Sequence, residues 1–363
     1  MLMTWIYLAS LALCYIVDNK MTRITKTEQR DRNFFMTAQM IFVIYLGCMM
    51  GFRDLSVGAD TKSYVEAFEQ MKHTTFASIF DSDTRAKEYL YNAVTKILYM
   101  WTENRFVFTT FFAMAFSMAY GYTVHKLSDN YFISYVVLLV LYMSFIISGM
   151  RQVAAMSILL LSYPFIKKRK FIPFLLCVAL AYFFHNTSVI FVIAYFMANK
   201  KMGWLQISII AAALILTYAL PNVTTKFLYE TIAWERLENY QSYDKTLNVS
   251  GFIIKMCIFV FNLYHYKAVV KKNENNLFLY NMSALGVALE AFTVIMSQAF
   301  RMSMYFSIFD TILLANVVQD FETNKQNKYS EKILTFVLVV GLLAIYYFII
   351  SQPLVYKMGI FGG

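Results

Sequence analysis

Long apolar runs recur along the chain, and short polar or charged clusters separate them. A run of about 20 apolar residues crosses the hydrocarbon core of a bilayer as a helix. The pattern therefore predicts an all-α polytopic integral membrane protein, a single transmembrane domain over residues 1–363 with about twelve spans. The predicted spans are residues 1–17, 34–51, 106–124, 131–149, 152–166, 171–184, 186–198, 205–220, 252–266, 277–298, 302–318 and 333–350.

Two segments between spans, residues 52–105 and 221–251, are long enough to have structure of their own. In the first, Tyr64 and Phe68 recur at helical spacing among charged residues, and Trp234 has a similar setting in the second. Such spacing predicts amphipathic helices that lie on the membrane interface. The alternative is that these helices only cap the helical bundle.

The composition agrees with a membrane protein. Of the 363 residues, 59% are hydrophobic and only 15% are charged, and the mean hydropathy is +0.52. Soluble domains are about a quarter charged, so a water-soluble enzyme is excluded. The four cysteines lie far apart in apolar stretches, without the spacing of metal ligands, and packing is their predicted role.

The net charge of +10 comes from basic clusters that lie beside predicted spans, so nucleic acid is not an expected partner. Short cytoplasmic loops of membrane proteins collect Lys and Arg. One alternating set of short loops holds more than half of the 32 Lys and Arg, and we predict that it is cytoplasmic, with both termini and the two long segments outside. These loops are residues 18–33, 125–130, 167–170, 199–204, 267–276 and 319–332. Joining 171–184 and 186–198 into one span would invert everything downstream.

Three arginines, Arg53, Arg151 and Arg301, lie at the predicted outer ends of spans. Arginine has a permanent charge and forked donors that match phosphate oxygens. A charge beside hydrocarbon is costly and is usually tied to function. The alternative is that the three are interfacial anchors, but anchoring alone does not predict that they share one side.

His185 lies in the same outer layer, between two apolar pieces, and is a candidate base or a structural hydrogen-bonding group. Within the predicted spans, Lys255, Glu290 and Asp310 are ionisable, and a Lys255–Glu290 pair between helices is the favoured interpretation. The sequence contains no HExxH motif and no His/Cys cluster. Neither a metal nor another cofactor is expected.

Several motifs occur in a characteristic order. They are Arg53-Asp54-Leu55-Ser56-Val57-Gly58-Ala59-Asp60-Thr61 with Ser63-Tyr64, Gly149-Met150-Arg151-Gln152-Val153-Ala154, the basic run 167–170, Ala181-Tyr182-Phe183-Phe184-His185-Asn186-Thr187-Ser188, and Arg301 with Tyr305-Phe306. Together they resemble the EpsG/Wzy-like family of bacterial polysaccharide polymerases, over about residues 40–320.

This resemblance implies a GT-C-like glycosyltransferase of the bacterial cytoplasmic membrane, with its active site facing outward. Its substrates would be oligosaccharide repeat units on undecaprenyl pyrophosphate and the growing polysaccharide. Its other partners would be the lipid bilayer, a chain-length regulator and a flippase. The leaving pyrophosphate develops negative charge, which arginines can neutralise, and an attacking sugar hydroxyl benefits from a base.

The residue roles follow from that chemistry. The predicted catalytic residues are Arg53, Arg151 and Arg301 for the leaving group, and Asp60 and His185 as candidate bases. The predicted substrate-binding residues are Gln152, Tyr64, Tyr305 and Tyr243. Two alternatives stay open, namely a lipid-linked oligosaccharide flippase or other transporter, and a membrane O-acyltransferase or ligase that acts on polysaccharide.

Overall fold

The computed structural model describes residues 30–80, 88–232, 250–296 and 299–323, and the side chains of 39–80, 88–227, 250–296 and 299–320. These residues form helices joined by short turns, and no strand occurs among them. The helices are α1 (Arg30–Gly51), α2 (Thr61–Gln70), α3 (Phe76–Ile79), α4 (Tyr89–Trp101), α5 (Arg105–Leu127), α6 (Tyr131–Ser148), α7 (Met150–Leu161), α8 (Tyr163–Lys167), α9 (Phe171–Phe184), α10 (Asn186–Met197), α11 (Trp204–Ala219), α12 (Pro221–Ile232), α13 (Ser250–Tyr264), α14 (Tyr266–Lys272), α15 (Asn276–Ala291), α16 (Ala299–Ser307) and α17 (Asp310–Thr323).

Helix length and hydropathy support membrane spanning. Among the described residues, Arg105–Leu127, Tyr131–Ser148 and Asn276–Val294 are long and apolar enough to cross a bilayer, and three bent helix pairs raise the number to as many as six. The chain is therefore a multi-pass helical membrane protein. Predicted spans 1–17 and 333–350 lie outside the described residues, so the total of twelve and the GT-C-like architecture stay predictions.

Recognisable residues mark where helices begin and break. The side chain of Asn104 accepts a hydrogen bond from the amide of Phe106 at 2.8 Å and caps α5. Proline has no amide hydrogen and fits only the first turn of a helix. Pro164 accordingly lies in the first turn of α8. Pro221 starts α12, which is bent by 100° from α11.

Because Pro164 lies in the first turn of a new helix, the predicted span 152–166 is divided between α7 and α8.

The chain divides into two compact units, Met1–Val192 with Phe321–Gly363 and Ile193–Asp320. In the first, α5 packs against α1 and α7, and α7 packs against α9. In the second, α15 packs against α11, α13 and α16. The single transmembrane domain over residues 1–363 stays a prediction.

The described residues of the long segment 52–105 contain three helices, α2, α3 and α4, and helices were expected there. The apolar face of α2 packs on protein, because Phe68 is fully buried and stacks on Phe108 of α5 with ring centroids 4.4 Å apart. On α4, by contrast, Trp101 is 87% exposed. The first helix thus caps the bundle, whereas α4 keeps an apolar surface suited to a membrane interface. In segment 221–251, residues 233–249 lie outside the described part of the chain.

Candidate active site

A break between two helices places Arg151. Helix α6 ends at Ser148, and α7 begins at Met150, with Gly149 between them. The Val153 amide donates to the Gly149 carbonyl at 2.9 Å, which closes the first turn of α7. Arg151 is thereby in the first helical turn, where unpaired backbone amides and the helix dipole favour a negative charge.

Glu88 is the centre of the site, although it was not among the predicted site residues. It is the residue before α4, and its side chain makes no capping hydrogen bond to that helix. Instead, Arg151 Nη1 donates to Glu88 Oε2 at 2.6 Å, and His185 Nδ1 lies 2.5 Å from Glu88 Oε1. One carboxylate thus joins α4, α7 and the end of α9. These three residues are called the Glu88 cluster below.

Glu88 is ionised at neutral pH. Glu88 is fully buried, and this burial raises the pKa of its carboxyl group. The hydrogen bond from His185 and the charge of Arg151 lower the pKa by more, so that it lies below the ordinary value of 4.5. An ionised Glu88 only accepts hydrogen bonds, so His185 carries a proton on Nδ1 and neutral His185 has its lone pair on Nε2.

An aromatic ring packs against the guanidinium of Arg151. Its Cζ lies 5.3 Å from the ring centroid of Tyr64, within the range of a cation–π contact. Tyr64 is buried and meets Tyr91 edge-on. The Arg151 side chain remains 36% exposed, whereas that of Glu88 is 1% exposed. Arg151 therefore extends from the buried carboxylate towards an accessible surface.

Arg53 organises the loop that precedes α2. It is 4% exposed, and it donates from Nη1 to the Met50 carbonyl and from Nε to the Thr61 hydroxyl at 3.0 Å. The Thr61 hydroxyl in turn donates to the Val57 carbonyl at 2.6 Å. These bonds tie the last turn of α1 to the first residue of α2.

The same loop contacts the helix break that carries Arg151. The Ala59 amide donates to Ser148 Oγ at 3.1 Å. Gly58 has a φ of +88°, which favours glycine, and an added Cβ would lie 2.9 Å from Ile147 Cγ2. The motif around Gly58 therefore packs directly on the end of α6, beside Gly149.

The structure brings together several of the predicted site residues. Tyr64, Arg151 and His185 meet around Glu88. Asp60 precedes α2 by one residue and lies one turn before Tyr64, and Gln152 is 2% exposed beside Arg151. Each of these residues belongs to the first unit.

The other predicted residues are placed differently. Arg301 and Tyr305 are on α16 of the second unit, where Arg301 is half-buried and Tyr305 is 2% exposed. Tyr243 lies outside the described residues. Arg53 has a structural environment that accounts for its burial. The roles of these residues stay predictions.

The missed residue had a weak signal in the sequence. Glu88 stands directly before the apolar stretch 89–101, where an acidic residue is ordinarily interpreted as a helix cap. Its partners are 63 and 97 residues away in sequence. Helical periodicity relates neighbours along the chain, so no local pattern connects these three residues.

The second unit contains the predicted pair between spans. Lys255 Nζ lies 2.6 Å from Glu290 Oε2, and this confirms the interhelical pairing. In the described part of the chain, no three His, Cys, Asp or Glu side chains are grouped as a metal site requires. Metal independence of the reaction stays a prediction.

The fold and the site define a class, that of multi-pass helical membrane proteins with an arginine and a histidine paired to one buried carboxylate at helix ends. The family model of the EpsG family matches residues 36–359, which is nearly the whole chain. The chain belongs to the EpsG family, and the resemblance found in its motifs is confirmed. Comparison with curated proteins and with solved structures returns no match. Family membership supports a role in polysaccharide polymerisation.

Proposed function

We propose that this protein is a membrane glycosyltransferase that joins lipid-linked oligosaccharide repeat units into a polysaccharide at the outer face of the cytoplasmic membrane. The donor is the growing chain on undecaprenyl pyrophosphate, and the acceptor is the sugar hydroxyl of a new lipid-linked unit. The observation that carries the proposal is the Glu88 cluster, because it combines a base with a forked cation in a member of the EpsG family.

The reaction replaces one bond to the anomeric carbon by another. The acceptor oxygen attacks the anomeric carbon of the donor, and the bond from that carbon to the pyrophosphate oxygen breaks. The electron pair of the broken bond leaves on the pyrophosphate. The hydroxyl proton passes to Nε2 of His185, and the resulting imidazolium is stabilised by the negative charge of Glu88.

Arg151 acts on the leaving group. Its side chain is partly exposed and stands in the first turn of α7. A guanidinium there supplies N–H donors to pyrophosphate oxygens, and the start of the helix adds the positive end of its dipole. Directed donors of this kind neutralise charge that develops in the transition state. Arg301 is proposed as a further cation on the outer face.

His185 is the better supported of the two candidate bases. Its Nδ1 is held by a buried carboxylate at 2.5 Å, which sets the ring orientation and the tautomer. Asp60 lies at the start of α2, one turn from Tyr64. We therefore assign proton removal to His185, and assign Gln152 and Tyr64 to substrate contacts.

The test is a reconstitution. Purified protein in liposomes is incubated with its lipid-linked repeat unit, and the products are separated by size. A ladder of lengths, with release of undecaprenyl pyrophosphate, is the expected result. Movement of the repeat unit across the bilayer without a ladder would favour the flippase, and acylated repeat units without a ladder would favour the acyltransferase.

A further inference from the structure

Three helices of the second unit meet at one buried ammonium group. Lys255 on α13 donates from Nζ to Glu290 Oε2 on α15 at 2.6 Å and to Ser303 Oγ on α16 at 2.8 Å. All three residues are at most 7% exposed. We refer to Lys255, Glu290 and Ser303 as the Lys255 clamp.

The clamp holds the first turns of α13. An added Cβ at Gly251 would lie 2.8 Å from Glu290 Oε1, so the second carboxylate oxygen lies directly over the start of that helix. A negative charge at this position interacts favourably with the helix dipole. Glu290 therefore contacts α13 twice, at its first turn and through Lys255.

The clamp also fixes the rotation of α16. Ser303 Oγ donates to the Gly286 carbonyl of α15 at 2.9 Å. An added Cβ at Gly286 would lie 2.5 Å from Ser307 Oγ, so the two helices are in close contact. Ser303 and Ser307 are one turn apart and hold the same face of α16 against α15.

Arg301 lies on the opposite face of that helix. It precedes Ser303 by two residues, a rotation of about 200° around the helix axis. Ser303 is fully buried, whereas Arg301 is half-buried, with its guanidinium 6.0 Å from the Phe300 ring centroid. Turning Ser303 inward therefore determines where Arg301 points.

Stability alone does not explain a buried ion pair, since apolar side chains of similar volume often hold helices together equally well. We propose that Lys255 and Glu290 are positioning residues, which set the rotation of α16 and thereby hold Arg301 in place for the leaving pyrophosphate. This inference rests on the proposed function. It assigns to the pair a role in catalysis that acts through Arg301.

The test compares the double variant Lys255→Met/Glu290→Gln, which leaves no charge stranded, with Ser303→Ala, which removes only the hydrogen bonds. The matched control is Gln206→Leu. It breaks the buried 2.7 Å hydrogen bond from Gln206 on α11 to Asn281 on α15, the helix that also carries Glu290. Asn281 lies nine residues before Glu290, roughly 13–14 Å along the axis. Each variant is assayed with Arg301 present and with Arg301→Ala, as polymer formed per inserted protein.

With Arg301 present, the double variant is expected to slow polymerisation by about tenfold to 10²-fold, because a misplacement of about 1 Å has effects of that size. In the Arg301→Ala background, the same double substitution is expected to lower the polymerisation rate by less than about twofold. The measured effects of independent sites add to within about this factor. The Gln206→Leu control is expected to change neither rate beyond that limit. An equally large loss in both backgrounds overturns the proposal.

A second measurement does not depend on activity. In a protein with Cys14, Cys48, Cys177 and Cys257 replaced by Ser, Arg301→Cys is labelled with a membrane-impermeant maleimide. The labelling rate is expected to change by more than about twofold in the clamp variants and to stay constant in Gln206→Leu. An unchanged rate in the clamp variants overturns the positioning role. If Arg301→Ala alone keeps full activity, the assignment of Arg301 in the proposed function fails, while the labelling rate still decides whether the clamp holds position 301.

Discussion

Replacing Glu88 by Gln tests the centre of the site with the smallest change in shape. The carboxylate accepts from Arg151 at 2.6 Å and from His185 at 2.5 Å. An amide in its place has one oxygen, which accepts from Arg151, and one NH₂ group, which faces Nδ1 of His185. The hydrogen bond to His185 then survives only if Nδ1 is the acceptor, and the ring proton moves to Nε2.

The expected loss of polymerisation rate follows from this change of tautomer. A histidine that is protonated on Nε2 has no lone pair there for the acceptor hydroxyl, so the contribution of the general base is lost. That contribution is about 10²–10⁴-fold in rate. Glu88→Ala removes both hydrogen bonds to a charged acceptor, each of which is ordinarily worth about 1.5–3 kcal/mol. Because Arg151 is partly exposed and water replaces some of its contact, we expect a loss of only about 2–3 kcal/mol of unfolding free energy.

The assay measures polymer yield per inserted protein and the melting temperature in detergent. The control is Glu66→Gln, which breaks an exposed pair with Lys62 of the same segment, 3.8 Å long, and is expected to change stability by less than about 1 kcal/mol. His185→Ala and the double variant His185→Ala/Glu88→Gln complete a cycle. If Glu88 acts through His185, the double variant is no slower than His185→Ala. A Glu88→Gln protein with a polymerisation rate within about twofold of the wild type refutes the tautomer mechanism.

Stability should depend on pH through the same carboxylate. The pKa of Glu88 is below its ordinary 4.5 in the folded protein, so the unfolded chain binds the proton more tightly. Ionised Glu88 therefore stabilises the fold fully above pH 4.5, its ordinary pKa. This stabilisation is lost as the pH falls through the lower pKa that Glu88 has in the folded protein. The difference in melting temperature between wild type and Glu88→Gln should shrink as the pH falls below about 4.5. A difference that does not change with acidification contradicts this assignment.

Three further predictions address the leaving group, the metal and the topology. Arg151→Lys should keep an ion pair with Glu88 but lose the forked donors, and its polymer yield should fall almost as far as that of Arg151→Ala, by about 10²–10³-fold; near wild-type yield in the Lys variant would make Arg151 an anchor. Polymerisation should survive a strong chelator, and a loss of activity that Mg²⁺ or Mn²⁺ restores would contradict leaving-group stabilisation by arginine alone. A cysteine at position 168 should resist an impermeant thiol reagent added outside, since the Lys and Arg distribution places loop 167–170 in the cytoplasm; its labelling would invert the topology.

Much of the fold is predictable because the apolar runs are long and because neighbouring residues determine whether a run forms a helix. Helices occur at the predicted spans throughout the described residues, and the breaks at Gly149 and Pro221 coincide with residues that interrupt helices by known mechanisms. The division of span 152–166 follows from Pro164. The effect of this single residue is lost when hydropathy is averaged over the whole span. The packing of α2 on protein depends on which face meets α5, and the amphipathic pattern does not distinguish a protein surface from a membrane interface.

The candidate site was predictable in its arginine and histidine but not in its carboxylate. Arg151 and His185 stand out because each is polar among apolar residues, whereas Glu88 lies in a segment where acids are ordinary. Arg53 was expected to meet substrate for the same reason as Arg151. Its Nη1 and Nε donate to Met50 and Thr61, contacts that depend on the folding of the 52–60 loop and that no local pattern indicates, and its role towards the substrate stays a prediction.

Under the proposed function, the carboxylate of Glu88 changes how the site binds a pyrophosphate. With an arginine alone, attraction would come chiefly from net positive charge and would extend over about a Debye length. Glu88 cancels the charge of Arg151 at 2.6 Å, so selection for phosphate depends on the directed N–H groups of the guanidinium and of the first turn of α7. In the proposed reaction, His185 takes the acceptor proton, and the cluster gains one positive charge at the moment that the pyrophosphate leaves with its negative charge. A positive charge gained at that moment stabilises the transition state more than the bound substrate, which is the requirement for catalysis.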